Sequence, residues 1–265
     1  MKCLYVDLDG TLLGPGASLF RDTLGRFSLD SVRALQACDR AGVEVVIYSG
    51  RRQSSVFEAA RLIGSSAYIF EIGCGFVLDG ELEWLTDGLE PREGESIFEQ
   101  ISATGAPSVL LERYAGRLEY HTPWAVGREV SHLFRGLIDT AEANALVAGR
   151  GLRLIDNGVI HEQVGDMSTV HVYHLIPAGA SKARGVARHM QARGYGRADC
   201  IAVGDSREDL EAAEVVGTFW LVANAPERDP TLLEEIAGRA GVRLAEGAYG
   251  AGVYEAVVTT LAERR

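Results

Sequence analysis

The sequence predicts an α/β fold: a Rossmann-like parallel sheet covered by helices, with an inserted α+β cap unit. Three observations carry that expectation. Over roughly the first 85 residues, short apolar runs rich in β-branched residues alternate with segments of helical period. The same alternation returns after about residue 180. Between the two, extended stretches separated by few helices point to a unit of a different kind.

Taken in order, the first run covers residues 4–6 and ends at Asp7, and Gly10 and Gly14-Pro15-Gly16 supply turn chemistry, so a buried strand leads into a loop. Residues 28–41 place Leu29, Val32, Leu35 and Cys38 at helical spacing, with Asp30 or Ser31 as the cap and Gly42 just past the end. Residues 43–48 and 67–70 read as strands, ended by Ser49-Gly50-Arg51 and Glu71-Ile72-Gly73. Later, residues 181–193 read as a helix, 200–203 as a strand, 207–216 as a helix and 218–222 as a strand. Within the insertion, 109–113, 118–121, 152–155 and 170–175 read as extended, and 127–148 as helical. The expected division is a core of residues 1–85 and 176–265 around an insertion of residues 86–175.

Composition narrows the function classes. Hydrophobic residues make up 47% and charged ones 24%, with no apolar run long enough to span a membrane. The start, Met1-Lys2 followed by four residues and then Asp7, is not a secretory signal, so a cytoplasmic location is expected. A formal charge of -11 argues against a nucleic-acid surface, and an anionic substrate would need a local positive site. No protein partner is indicated. Cys3, Cys38, Cys74 and Cys200 are widely spaced and form no C-x-x-C pair, so they are expected as small buried side chains rather than as disulfides or zinc ligands.

In open parallel sheets, ligands bind outside the carboxyl ends of the strands, and these strands end in Asp7, Ser49, Glu71, Asp205 and Asn224. The chemistry should therefore collect along one edge. Asp7 and Asp9 are two apart at a strand end, where paired carboxylates can divide labour between nucleophile and acid/base, although an acidic turn would look the same. Ser49-Gly50-Arg51 offers a hydroxyl, backbone N–H groups and a guanidinium to a phosphoryl group, or is simply a solvated helix start. Lys182 stands at a helix start, where its charge opposes the helix dipole but suits an anion. Gly204-Asp205-Ser206-Arg207-Glu208-Asp209 puts two aspartates four apart at a strand-to-helix junction, which suits a hard cation or an ordinary N-cap.

Together, Asp7-Leu8-Asp9-Gly10-Thr11, Ser49-Gly50-Arg51, Lys182 and the 204–209 segment resemble the four motifs of the haloacid dehalogenase-like phosphatases. The insertion, between the second and third motifs, resembles the type IIB caps of sugar-phosphate phosphatases. The resemblance implies a phosphatase acting on a small phosphate monoester, a sugar phosphate or phosphorylated small acid, through an aspartyl-phosphate intermediate. It implies Asp7 as nucleophile and Asp9 as acid/base, and a phosphate held by Thr11, Ser49, Gly50, Arg51 and Lys182, with Thr11 also orienting the first loop. Magnesium (Mg2+) would be held by Asp7, Asp205 and the Asp9 carbonyl, with Ser206, Asp209 and Asn224 supporting that loop. Glu208 departs from the type IIB pattern, many of whose members carry Asn just before the final aspartate of the last motif. A sugar phosphomutase and a non-catalytic phosphosugar-binding protein are the alternatives, the mutase motif being longer and glycine-rich.

Weaker signals lie mostly in the insertion. His121, His132, His161, His171 and His174 suggest packing or surface roles before a zinc cluster. Asp156-Asn157-Gly158 reads first as a hairpin turn. Glu71, Gly73, Cys74, Asp156 and Asn157, and the aromatic rings of Trp84, Tyr114, Tyr120 and Trp124, are further candidates for substrate contact.

Overall fold

The computed structural model describes residues 1–160 and 162–263. It divides into two compact units, Met1–Glu83 with Ser181–Arg265, and Trp84–Ala180. The chain begins with β1 (Cys3–Val6), α1 (Asp30–Arg40), β2 (Glu44–Tyr48), α2 (Gln53–Ile63), β3 (Ala67–Phe70), β4 (Gly75–Leu78) and β5 (Glu81–Trp84). The second unit holds α3 (Ile97–Ala103), α4 (Ala106–Arg113), β6 (Leu118–Tyr120), β7 (His132–Gly136), α5 (Thr140–Val147), β8 (Leu152–Ile160) and β9 (Val170–Pro177). The chain then returns with α6 (Lys182–Arg193), β10 (Cys200–Gly204), α7 (Arg207–Leu210), β11 (Thr218–Leu221), α8 (Ala225–Arg228), α9 (Leu232–Ile236), β12 (Val242–Leu244) and α10 (Gly250–Glu263).

The first unit is built on a sheet of order β12-β11-β10-β1-β2-β3-β4-β5, parallel from β12 to β3 and antiparallel where β4 folds back on β3. In central β1, Leu4, Tyr5 and Val6 are fully buried. Burial on this scale contributes about 1.5–3 kcal/mol per large apolar side chain, which fixes the strand from which Asp7 emerges. The second unit is a separate antiparallel sheet of order β6-β7-β9-β8 with its own helices. The fold is thus α/β, with a parallel-dominated core and an inserted α+β unit.

Several local readings need correction. Residues 109–113, expected as extended, lie in α4, where Ala106, Pro107 and Leu110 are buried at helical spacing and Gly105 (φ 74°) turns the chain into the helix. Residues 127–148, expected as one helix, contain β7 and then α5, which starts where the Asp139 side chain accepts the Glu142 N–H. Gly136 must lack a side chain, since a Cβ would come within 2.1 Å of the Arg117 carbonyl on β7's partner segment. Asp156-Asn157-Gly158 is an irregularity inside β8, where pairing with β9 shifts register, and not a turn between strands. Helix 207–216 breaks after Leu210 into a tighter turn, Glu211–Glu214. At the start of α1, Leu29 occupies the cap position with no side-chain bond, and the Ser28 hydroxyl instead accepts the Asp30 N–H.

Candidate active site

Asp7 directly follows β1, its N–H bonded to the Val203 carbonyl of β10 at 3.1 Å, so the sheet itself fixes its backbone. Its side chain is buried and meets Lys182, the first residue of α6, with Nζ to Oδ1 at 2.8 Å. The same ammonium reaches Asp209 Oδ1 at 2.6 Å and lies over the Tyr48 ring. Lys182 reaches this position because Ser181 caps the helix, accepting the Arg184 N–H, and because Gly73 leaves room. A Cβ on Gly73 would stand 2.0 Å from the Ser181 carbonyl oxygen.

Asp209 uses both oxygens. While Oδ1 takes Lys182, Oδ2 accepts the Asp205 and Ser206 N–H groups and the Ser206 hydroxyl at 3.1, 3.0 and 2.7 Å. That arrangement holds the 204–206 loop so that Asp205 faces Asp7. Thr11, fully buried, donates to Asp205 Oδ1 at 3.3 Å, and Arg228 donates to Oδ2 at 2.8 Å. Gly10 (φ 90°) permits the close pass, since a Cβ there would lie 2.2 Å from Asp205 Oδ2. Asn224 braces the same turn, its Nδ2 donating to the Gly10 carbonyl and its Oδ1 accepting the Tyr249 N–H, both at 2.8 Å.

Beside this network lies a more open pair. The Arg51 guanidinium forks onto both oxygens of Asp9, which stays half exposed. Ser49, buried, accepts the Arg51 N–H on its hydroxyl at 3.3 Å, and Gly50 lies between them in the loop after β2.

The electrostatics follow from three carboxylates crowded where water is scarce. Burial pushes the Asp7 carboxyl well above its ordinary range, and Lys182 opposes that. Burial likewise lifts Asp205 to about 6, against the pull of Arg228. Burial works against the Lys182 charge too, but Asp209 and Asp7 outweigh it and hold the ammonium protonated. Glu208, buried and without a hydrogen-bond partner on Oε2, is pushed up to about 8 by burial. Oxygens of Asp7, Asp205 and Asp209 lie within 4.8 Å of one another. Acid-rich and all-oxygen, with three carboxylates against the two cations Lys182 and Arg228, this cluster fits a hard divalent cation.

The structure thus gathers Asp7, Thr11, Lys182, Asp205, Ser206 and Asp209 into one network, sets Asp9, Ser49, Gly50 and Arg51 beside it, and puts Asn224 behind the Gly10 turn. The Thr11 hydroxyl engages Asp205, and Arg51 engages Asp9. Sequence reading missed Arg228 and the Tyr48 ring. Arg228 carries no local signal, since it lies in a short helix after β11, whereas Tyr48 directly precedes Ser49 at a strand end. Of the other candidates, Glu71 and Cys74 are fully buried.

The second unit holds no group of metal-competent side chains among the described residues. His132 stacks on Phe98 and its pKa is lowered to about 4 by burial; His171 pairs with Asp156 at 2.7 Å; His121 and His174 are buried; His161 lies outside the described residues. Tyr114 is buried, Tyr120 bonds His132, and Trp124 is exposed.

The profile of the family described as haloacid dehalogenase-like hydrolase matches residues 160–235, the stretch that carries Lys182, Asp205 and Asp209. A phosphoglycolate phosphatase of Archaeoglobus fulgidus is 27% identical over 86% of each chain. A second, from Methanoculleus marisnigri, is 26% identical over 97% of this chain and 95% of its own. The crystal structure of the sucrose-phosphatase from Synechocystis, solved with sucrose and phosphate, superposes with a TM-score of 0.65 at 15% identity, over 98% of this chain and 97% of its own. Profile, relatives and fold point the same way: the chain is similar to the haloacid dehalogenase-like hydrolases.

Proposed function

We propose that this chain is a magnesium-dependent phosphatase acting through an aspartyl-phosphate on Asp7, with a phosphorylated small acid of the phosphoglycolate kind as the first substrate to test and a sugar phosphate as the second. The observation that carries this reading is the buried Lys182 ammonium shared by Asp7 and Asp209, with Asp205 facing the same point. The phosphoglycolate phosphatases among the relatives favour the small acid, and the sucrose-phosphatase likeness in fold keeps the sugar phosphate in view.

Asp7 and Asp205, with the Asp9 carbonyl, would hold magnesium, which supplies positive charge to the phosphoryl oxygens. Lys182 favours the ionised form of Asp7 against the effect of burial and aims it, while the Ser49 hydroxyl and the Gly50 loop take phosphoryl oxygens. An Asp7 oxygen attacks phosphorus, the bond to the leaving oxygen breaks, and Asp9 supplies the proton to that oxygen. Asp9, now ionised, takes a proton from water as the water attacks the aspartyl-phosphate. Inorganic phosphate leaves and Asp7 is restored. For this Asp9 must leave the Arg51 fork and take up a proton from solvent before the first step, so Arg51 holds the acid/base in reserve and can turn to the phosphate.

A panel of phosphoglycolate and sugar phosphates, assayed for free phosphate with magnesium and with EDTA, tests the reading. Release of phosphate from phosphoglycolate that EDTA abolishes supports it. Turnover indifferent to EDTA, or isomerised sugar phosphate in place of free phosphate, contradicts it.

A further inference from the structure

We propose that the amino-terminal edge of the same sheet carries a second cation site, for a zinc-class ion, formed by the Cys3 thiolate, His189 Nε2 and the Glu44 carboxylate. Strand register builds it: Cys3 pairs with Glu44 on one side and with Cys200 on the other, so the three side chains form one row across β2, β1 and β10. His189 enters from α6, seven residues and about 10 Å along the helix from Lys182. A sulfur, a nitrogen and an oxygen lie within 4.8 Å of one another. Asp7 lies four residues farther along the chain from Cys3, about 13 Å away, so the two sites are separate.

The state of His189 points to a ligand. Its side chain is fully buried, and Nε2 has no hydrogen-bond partner. Nδ1 meets the Tyr5 hydroxyl at 2.7 Å, and Tyr5, Phe76 and Tyr195 wall in the ring, so it cannot turn away. If Tyr5 donates, the Nε2 proton faces Glu44 Oε1 at 3.5 Å, too far for a hydrogen bond. If Nδ1 donates to Tyr5, Nε2 either turns a lone pair toward the carboxylate or, protonated as well, pairs with it only at that 3.5 Å distance. A cation there resolves the conflict, and the Tyr5 bond then does what such a bond does for a metal-bound histidine, fixing tautomer and ring angle. Bonds of about 2.0–2.2 Å at a tetrahedral centre set an N···O edge of about 3.4 Å, close to the 3.5 Å found.

The remaining groups are compatible. Glu44 Oε1 accepts from Arg193 at 3.0 and 3.1 Å and Oε2 from Tyr195 at 3.0 Å, while Arg193 is also anchored by Asp79 at 2.7 Å. Glu44 is therefore held in place without depending on the cation, and Arg193 keeps a partner if Oε1 turns to it. On binding, Cys3 gives up its thiol proton to water, and the sulfur and imidazole donors select zinc over magnesium. The ligands come from residues 3, 44 and 189, so no sequence spacing betrays the site.

Cobalt(II) titration of the full-length protein with its oxygen site saturated by magnesium tests the inference. The expected result is a single equivalent bound with intense tetrahedral visible bands and a thiolate-to-cobalt charge-transfer band, displaced by zinc. Cys3→Ser and His189→Gln should each weaken binding at least about tenfold, and Cys3→Ser should lose the charge-transfer band, while Cys38→Ser and Cys74→Ser leave both unchanged. No thiolate band in the wild-type protein, or a band that survives both substitutions, overturns the proposal. If the variants do not fold, X-ray absorption of the zinc-loaded wild-type protein decides: sulfur at about 2.3 Å with imidazole supports it, and a shell of oxygen alone overturns it.

Discussion

The two edges of one sheet make opposite use of the same strands. At the carboxyl edge, β1 and β10 deliver Asp7 and Asp205 into a buried cluster with more carboxylates than cations, and burial pushes those acids up. At the amino edge, β2 delivers Glu44 into a setting where His189 and Arg193 overcome the cost of burial and pull it down to about 2. A carboxylate left short of positive charge can serve as a nucleophile once a cation arrives, whereas one already paired is held in place whether or not a cation joins it. Parallel strands turn this into position, because every strand presents its carboxyl end on the same side.

The largest way to break the comparison is at Asp7. Asp7→Asn should lower phosphate release by roughly four or more orders of magnitude in a steady-state assay, with the fold intact by circular dichroism. Asp9→Asn should cost about 10²- to 10⁴-fold in kcat, yet leave thermal stability nearly unchanged, because Asp9 is half exposed. Lys182→Met should be lethal to activity and also destabilising by about 3–5 kcal/mol in denaturant unfolding, since it strips two buried carboxylates of their shared ammonium. Magnesium should recover part of that stability.

Stability against pH sharpens the contrast, because the edges titrate with opposite sign. Glu208, raised to about 8, binds its proton more tightly folded than unfolded, so its contribution is complete below its ordinary range near 4.5 and declines as pH rises toward 8. Glu44, lowered to about 2, contributes fully above about 4.5 and loses that contribution as pH falls toward 2. Metal-free protein should therefore lose thermal midpoint on both sides, and Glu208→Gln should flatten the loss above pH 5 while leaving the acid limb unchanged. The smallest effect is expected at Asn224→Ala, which frees the Gly10 carbonyl and should cost about 1–3 kcal/mol of stability with activity reduced rather than lost.

The same contrast explains what was legible in the sequence. β1, β2, β3, β10 and β11 announce themselves through continuous apolar runs, because strands buried on both faces cannot alternate. Asp7, Ser49 and Asp205 stand out for breaking those runs, and Lys182 for opposing a helix dipole. Nothing local marks Arg228, whose role depends on α8 bringing it to Asp205, or His189, whose environment is made by strands distant in sequence. In the inserted unit, Val109 misled because one β-branched residue looks extended until Ala106 and Leu110 are seen to bury at helical spacing. Residues 132–136 misled in the opposite sense: β7 gains its strand character from pairing with β6 and β9, a long-range contact no short window contains.

The central claim, that Asp7 is the nucleophile, is tested most directly by rapid-quench mass spectrometry of the enzyme turning over phosphoglycolate with magnesium. A phosphoryl group appearing on the peptide that contains Asp7, absent in Asp7→Asn and gone once substrate is consumed, is the predicted result. Turnover with no phosphorylated enzyme at any time, or a phosphoryl group on another residue, would contradict the account.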